Sequence, residues 1–298
     1  MLKVEKVEDI EISELAKVKV TTSGHIVEVM YMEKKSKGNH IIKISSNEYL
    51  DKLTGEIKEY QKTDNRSQSK NELRKTFKKL RDIVNCNVTN PKNCRWVTLT
   101  YAENMTDSVK LYRDCEKLIK KLRYRYGKFE YIQVAEPQGR GAWHIHMVMI
   151  FDKKAPYIDN KDMADIWGHG FTKTQKMDDN DNLGAYLSAY LGDVELDSVK
   201  DDIGAMSECV GLEIKEVDGK KYIKGGRLHM YPTNFNIYRC SRGIKRPIVE
   251  ELIEHDIKEK VSAATLTFQK TIKVSNDDGY ENIINYRYYN MKRDRTKY

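Results

Sequence analysis

No run in this sequence approaches the roughly 18 apolar residues that a membrane-crossing helix needs. With a mean hydropathy of −0.72, no membrane partner is expected. Cysteine is scarce: Cys86, Cys94, Cys115, Cys209 and Cys240 are odd in number and form no CxxC pair. That argues against a disulfide frame or a zinc ribbon and predicts reduced thiols in the cytoplasm. The opening MLKVEKVEDIEIS is too acidic and too weakly apolar to read as a signal peptide. No GxxxxGK[ST] occurs, so no phosphate-binding loop or fused helicase is expected. The DDNDN run (178–182) lacks the sixth-position Gly and twelfth-position Glu of a calcium loop. Internal repeats and low-complexity tracts are also missing.

Charge is what the chain has in quantity. Charged residues make up 33% of its 298 positions, with a formal charge of +8 and a pI near 8.9. The excess favours a polyanionic partner, with nucleic acid foremost. The 19 tyrosines suit base stacking, but equally suit half-buried strands.

Alternation over 17–47 predicts two or three strands, and GEIKEYQKTDNRSQSK reads as a polar connection. Residues 66–84 predict a helix with Leu73, Phe77, Leu80 and Val84 on its core face. Arg66, Lys70, Arg74 and Lys78 recur every four residues beside it, offset only by Glu72, and form a candidate phosphate-binding stripe. There follow a strand (95–101), an amphipathic helix ending at Gly127 (107–127), strands at 130–136 and 143–151, a short helix (160–167), a strand (170–177) and a helix (181–193). The order β-α-β-β-α-β is the split βαβ arrangement, an α+β, ferredoxin-like class with a central antiparallel sheet. Beyond it, a turn at Asp218-Gly219, a helix over 247–260 and a terminal strand pair joined at NDDG are expected. Three regions result: an N-terminal β-rich extension (1–64), a core (65–195) and a C-terminal hairpin and helix region packed on the core (196–298).

The polar chain carries one conspicuous apolar strand, GAWHIHMVMIF (141–151), with two histidines on the same face. Glu136 closes the preceding strand across the short loop PQGRGA. If those strands are neighbours, a carboxylate and two imidazoles converge, leaving positions open as a catalytic metal site does. Tyr186 and Tyr190, four apart, share a face of the 181–193 helix. Thr98 and Thr100 share a strand face and either approach this site or pair across strands. His25, His40, His169, His229 and His255 lie in polar or turn contexts and are read as non-ligands.

The set WVTLTY, VAEPQGRGAWHIHMVMIF and GAYLSAYLGD resembles the HUH endonucleases over about residues 66–193, and among them the rolling-circle replication initiators of plasmids and phages. The tyrosines follow the histidines, whereas in conjugative relaxases they usually precede them. The pair is similar to the two-tyrosine initiators typified by the phage gene A proteins. The segment YPTNFNIYRCSRGIKRP (231–247) also looks like the downstream part of such proteins. The resemblance implies an HUH nuclease core that nicks and joins DNA through a covalent 5′-phosphotyrosine. It implies Glu136, His144 and His146 as ligands of Mn²⁺ or Mg²⁺, Tyr190 as first nucleophile and Tyr186 as second. Implied partners are origin DNA, single-stranded or as a hairpin, and a host helicase with the replication machinery; homo-oligomerisation stays open. Many such initiators carry lysine three residues after the nucleophile; here Asp193 stands there, and Ala189 also replaces a frequent lysine. Arg140 in the loop is the cation offered instead. Competing readings are a relaxase-like mobilisation protein, an iron-dependent oxygenase and a non-catalytic DNA-binding repressor.

Overall fold

In the computed structural model, the described residues are 3–35, 41–52, 54–60, 70–138, 140–177, 194–195, 214–217, 220–223, 230–232, 235–277 and 279–294. Two compact units emerge: a central unit, Asp64–Arg246, and an end unit that joins Met1–Thr63 to Pro247–Tyr298.

The N-terminal part of the end unit contributes β1 (Lys3–Val7), β2 (Lys17–Ser23), β3 (Ile26–Met32), β4 (Ile41–Lys43), β5 (Glu48–Asp51) and β6 (Ile57–Glu59). The central unit follows with α1 (Lys70–Asn87), β7 (Cys94–Thr100), α2 (Ser108–Tyr126), β8 (Glu130–Pro137), β9 (Trp143–Ile150), α3 (Asn160–Trp167) and β10 (Thr172–Lys176). It ends with β11 (Val194–Glu195), β12 (Ile214–Val217), β13 (Lys220–Ile223) and β14 (Tyr238–Cys240). The chain returns to the end unit with β15 (Ile248–Ile253), α4 (Glu254–Lys260), β16 (Ala264–Ser275) and β17 (Glu281–Asp294).

The central sheet has the order β10-β7-β9-β8-β14, with every neighbouring pair antiparallel. Its first four members reproduce the split βαβ order, so the fold is the expected α+β, ferredoxin-like class. Helix α2 forms where the sequence favours it. The Asp107 side chain accepts hydrogen bonds from the N–H groups of Val109 and Lys110, at 2.8 and 3.1 Å. At the other end Gly127, with φ of 84°, donates its N–H to the Arg123 carbonyl. Between these ends Leu111, Cys115, Leu118, Ile119 and Leu122 are buried at helical spacing. Helix α1 buries Leu80, Ile83 and Val84, and its partly buried Phe77 packs on the same core. That core includes Leu99, Ile145, Met147 and Met149, alternate residues of the two central strands.

The end unit's sheet runs β1-β16-β17-β3-β2-β15. Val18, Val20, Val27 and Val29 pack with Ile257, Val261, Ala264 and Tyr289. The terminal strand pair is present, with β16 and β17 antiparallel from Ala264↔Asp294 to Ser275↔Glu281. It does not stand as a separate C-terminal elaboration, because β17 also pairs along β3. A hairpin alone buries too little apolar surface to be stable, so the two chain ends complete one sheet.

Two further expectations change. Residues 248–253, expected as part of a helix over 247–260, form β15 against β2; only 254–260 are helical. Pairing with an otherwise open strand outweighs the helix preference of the glutamates there. The polar connection after residue 54 contains β6, which pairs with β5. The helix expected over 181–193 lies outside the described residues. Among the described residues, no helix is long and apolar enough to cross a membrane.

Candidate metal and nucleic-acid site

Strand β9 lies between β7 and β8, so both its backbone edges are paired and only its side chains are free to do chemistry. Register places His144 between Thr100 and Glu136, and His146 between Thr98 and Val134. Directly opposed residues project to the same face. The two histidines, both threonines and Glu136 therefore share one face, opposite to Ile145, Met147 and Met149.

On that face the Nε2 atom of His146 lies 3.4 Å from Oε2 of Glu136. Its Nδ1 lies 3.4 Å from Oγ1 of Thr98. Trp96, two residues before Thr98, stacks on the His146 ring with centroids 5.1 Å apart and planes inclined by 30°. The ring is thus held by a hydroxyl on one nitrogen and by indole on its face, and its other nitrogen meets the carboxylate. The His144 ring sits 4.5 Å from that of His146, centroid to centroid. Only 6% of the Glu136 side chain is exposed, so the carboxylate is largely withdrawn from water, and a buried charge needs compensation. Trp96 was not singled out from the sequence; strand alternation from Thr98 is the signal that finds it.

Glu136, His144 and His146 are therefore brought together as neighbours. Among the described residues, however, no three His, Cys, Asp or Glu side chains already stand in metal-holding geometry. The donor set itself, one carboxylate with two imidazoles, suits a divalent ion such as Mn²⁺. Glu136 and His144 are already direct cross-strand partners, so the set can close by side-chain rotation, without moving the strands. Tyr186 and Tyr190 lie outside the described residues.

Arg140 turns inward. Its Nη2 donates to the Tyr101 carbonyl at 2.7 Å, and its Nη1 to that of Ala102 at 3.4 Å. It thereby ties the β8–β9 loop to the chain just beyond Thr100. His169, at that same end of β7, approaches the buried Asp114 (Nε2 to Oδ2, 3.6 Å), which also accepts the Tyr101 hydroxyl at 3.1 Å. Gly170 beside it is required by space as well as φ: a Cβ there would stand 2.5 Å from the Thr100 carbonyl oxygen.

The basic stripe is only partly described. Arg66 lies outside the described residues, and Lys70 and Arg74 are placed on α1 by backbone alone. Lys78 forms an ion pair with Asp82 at 2.8 Å, and Arg81 approaches Asp82 at 3.9 Å. Glu72 is therefore not the stripe's only offset; Asp82, one helical turn beyond Lys78, is a second. Charge nonetheless concentrates in this unit. Residues 64–246 hold 33 Lys and Arg against 25 Asp and Glu, whereas the end unit holds 20 of each, so the whole excess belongs to the central unit.

Comparison with curated proteins and with solved structures returns no match. Residues 94–195 match the model of a family described as replication-associated proteins of the ORF2 and gene 2 protein type. The matched span opens on the first residue of β7, takes in both histidines, Glu136 and both tyrosines, and covers about one third of the chain. It supports a replication-initiator family for the segment that carries this site.

Proposed function

We propose that this chain starts rolling-circle replication by nicking and rejoining single-stranded DNA through a covalent 5′-phosphotyrosine. The observation that carries this reading is the contact of Glu136 with His146, beside His144, on one face of a split βαβ sheet within the matched segment. In this reading the chain is a two-tyrosine HUH nuclease.

An ordinary phenol, with a pKa near 10, is a weak nucleophile at neutral pH. Glu136, His144 and His146 would hold Mn²⁺ or Mg²⁺, which supplies charge stabilisation at the scissile phosphate. Tyr190 gives up its phenolic proton and its oxygen attacks phosphorus. The bond from phosphorus to the 3′ oxygen breaks, and that oxygen takes a proton to leave as a 3′-hydroxyl able to prime synthesis. Tyr190 keeps the 5′-phosphate, so the energy of the phosphodiester is conserved. Tyr186 acts in the same way after one round, and the free 3′-hydroxyl then displaces a tyrosine to close the circle. Thr98 orients the His146 ring, and Trp96 limits its rotation. With no phosphate-binding loop in the sequence, unwinding falls to a separate helicase.

The test is incubation of the full chain with Mn²⁺ and a pool of single-stranded origin oligonucleotides. A protein–DNA adduct that survives denaturing electrophoresis is expected. Tyr190→Phe should abolish first-strand nicking and Tyr186→Phe should spare it. His144→Ala should abolish the adduct yet keep most DNA affinity, because phosphate contacts elsewhere supply it. Cleavage without an adduct, or an adduct that persists when both tyrosines are changed, contradicts the proposal.

A further inference from the structure

The central sheet ends at β14, and a cleft opens between that edge strand and α1. Thr76 and Lys79 of α1, Tyr131 of β8, Tyr238 and Arg239 of β14, and Arg246 just beyond line a space of about 550 Å³. Three of these carry positive charge, and among the described residues no carboxylate lines the cleft. A neighbouring cleft along α2 shares Arg239 and adds Arg113.

The cleft is tied to the candidate site by register. Tyr238 lies opposite Val134, which lies opposite His146, so Tyr238 projects from the histidine face two strands away. Two interstrand steps amount to about 10 Å. Arg239, on the alternate face, is fixed over the Tyr112 ring at 3.4 Å to the centroid. Tyr112 in turn donates its hydroxyl to the Asn236 carbonyl at 2.5 Å. One cation is thus held rigidly, while Lys79 and Arg246 are solvent-exposed.

We propose that this cleft is a strand-holding subsite, in which Lys79, Arg239 and Arg246 contact successive phosphates of single-stranded DNA and Tyr238 stacks on a base, feeding the strand toward Glu136, His144 and His146. The inference rests on the nicking reading and adds where the substrate strand runs. A single strand fits because its bases are free to meet a tyrosine set within a cleft, and such sites combine a basic groove with aromatic platforms. The neutral end unit offers no comparable charge.

The test is fluorescence anisotropy with a fluorescein-labelled oligothymidylate, titrated in NaCl. Each phosphate contact on a single strand adds about 0.7 to the slope of log affinity against log salt. Lys79→Ala with Arg246→Ala should therefore flatten the slope by about 1.4, and each single variant by about half of that. Lys79→Arg with Arg246→Lys should retain the slope. Tyr238→Ala should weaken binding about fivefold or more, and Tyr238→Phe much less. His146→Ala should bind like the unaltered chain. An unchanged slope and affinity in the double alanine variant and in both single variants overturns the cleft. If those variants still form adducts, the nicking reading stands without it; a flattened slope in a chain that forms no adduct leaves the cleft standing and removes the nicking step.

Discussion

His146 shows how much one strand position can be asked to do. Its ring is stacked on Trp96, one nitrogen faces Thr98 and the other faces Glu136, all through cross-strand neighbours. The cysteines show the opposite case, residues with no chemistry to perform. Burial pushes the thiols of Cys94 and Cys115 up to about 12, from an ordinary value near 9. Both therefore stay protonated at pH 8 and are poor nucleophiles. Because the folded value lies above the unfolded one, their contribution to stability is complete below pH 9 and is lost as pH rises toward about 12. Iodoacetamide at pH 8 should alkylate Cys240, which is partly exposed, while sparing Cys86, Cys94 and Cys115 until the protein is unfolded. Peptide mapping that finds Cys94 or Cys115 labelled as fast as Cys240 contradicts this. The same scale shows what the sequence hides. Strand alternation placed both histidines on one face, but nothing local to Lys78 says whether its charge is free. Asp82 lies one turn along the helix, a spacing easily passed over beside a longer run of cations, and it takes that charge.

Elements with strong local punctuation were the legible ones. Asp107 and Gly127 bound α2, and Asp159 and Gly168 bound α3, so both ends of each helix are written in cap chemistry. Strand β15 is different: ELIEHDIKEK reads as helix, and only the open edge of β2 makes its first residues extended. Strands β4 to β6 are short and polar, and their pairing is a tertiary fact. The junction of β15 with α4 also hides a buried pair. Arg287 on β17 donates to both carboxylate oxygens of Glu254, at 2.6 and 2.7 Å, with Glu254 only 1% exposed. Removing one partner leaves the other charge buried and alone. Glu254→Ala should destabilise the end unit by about 3–5 kcal/mol, whereas Glu254→Leu with Arg287→Met should cost far less. Urea denaturation measures both, and equal loss in the two variants would show that the pair is not what makes the position sensitive.

At the scale of the whole molecule, the formal charge predicted a polyanionic partner, but only the division into units shows where that charge lies. Residues 64–246 carry all of the +8 excess, together with the candidate site and the cleft beside β14. The end unit is neutral and is built from the two segments farthest apart in sequence, which is why boundaries drawn along the chain could not foresee it. What local pattern reveals is the split βαβ order; what it cannot reveal is closure by distant strands. The central claim is that a carboxylate, two imidazoles and a phenol act on one phosphodiester. Peptide mass spectrometry of the Mn²⁺-dependent adduct tests it most directly. A nucleotide linked to Tyr190 is expected in the first nicking reaction, with no linked peptide when His146 is changed to Ala. A nucleotide found on a tyrosine outside the 181–193 segment, or an undiminished adduct in His146→Ala, would contradict it.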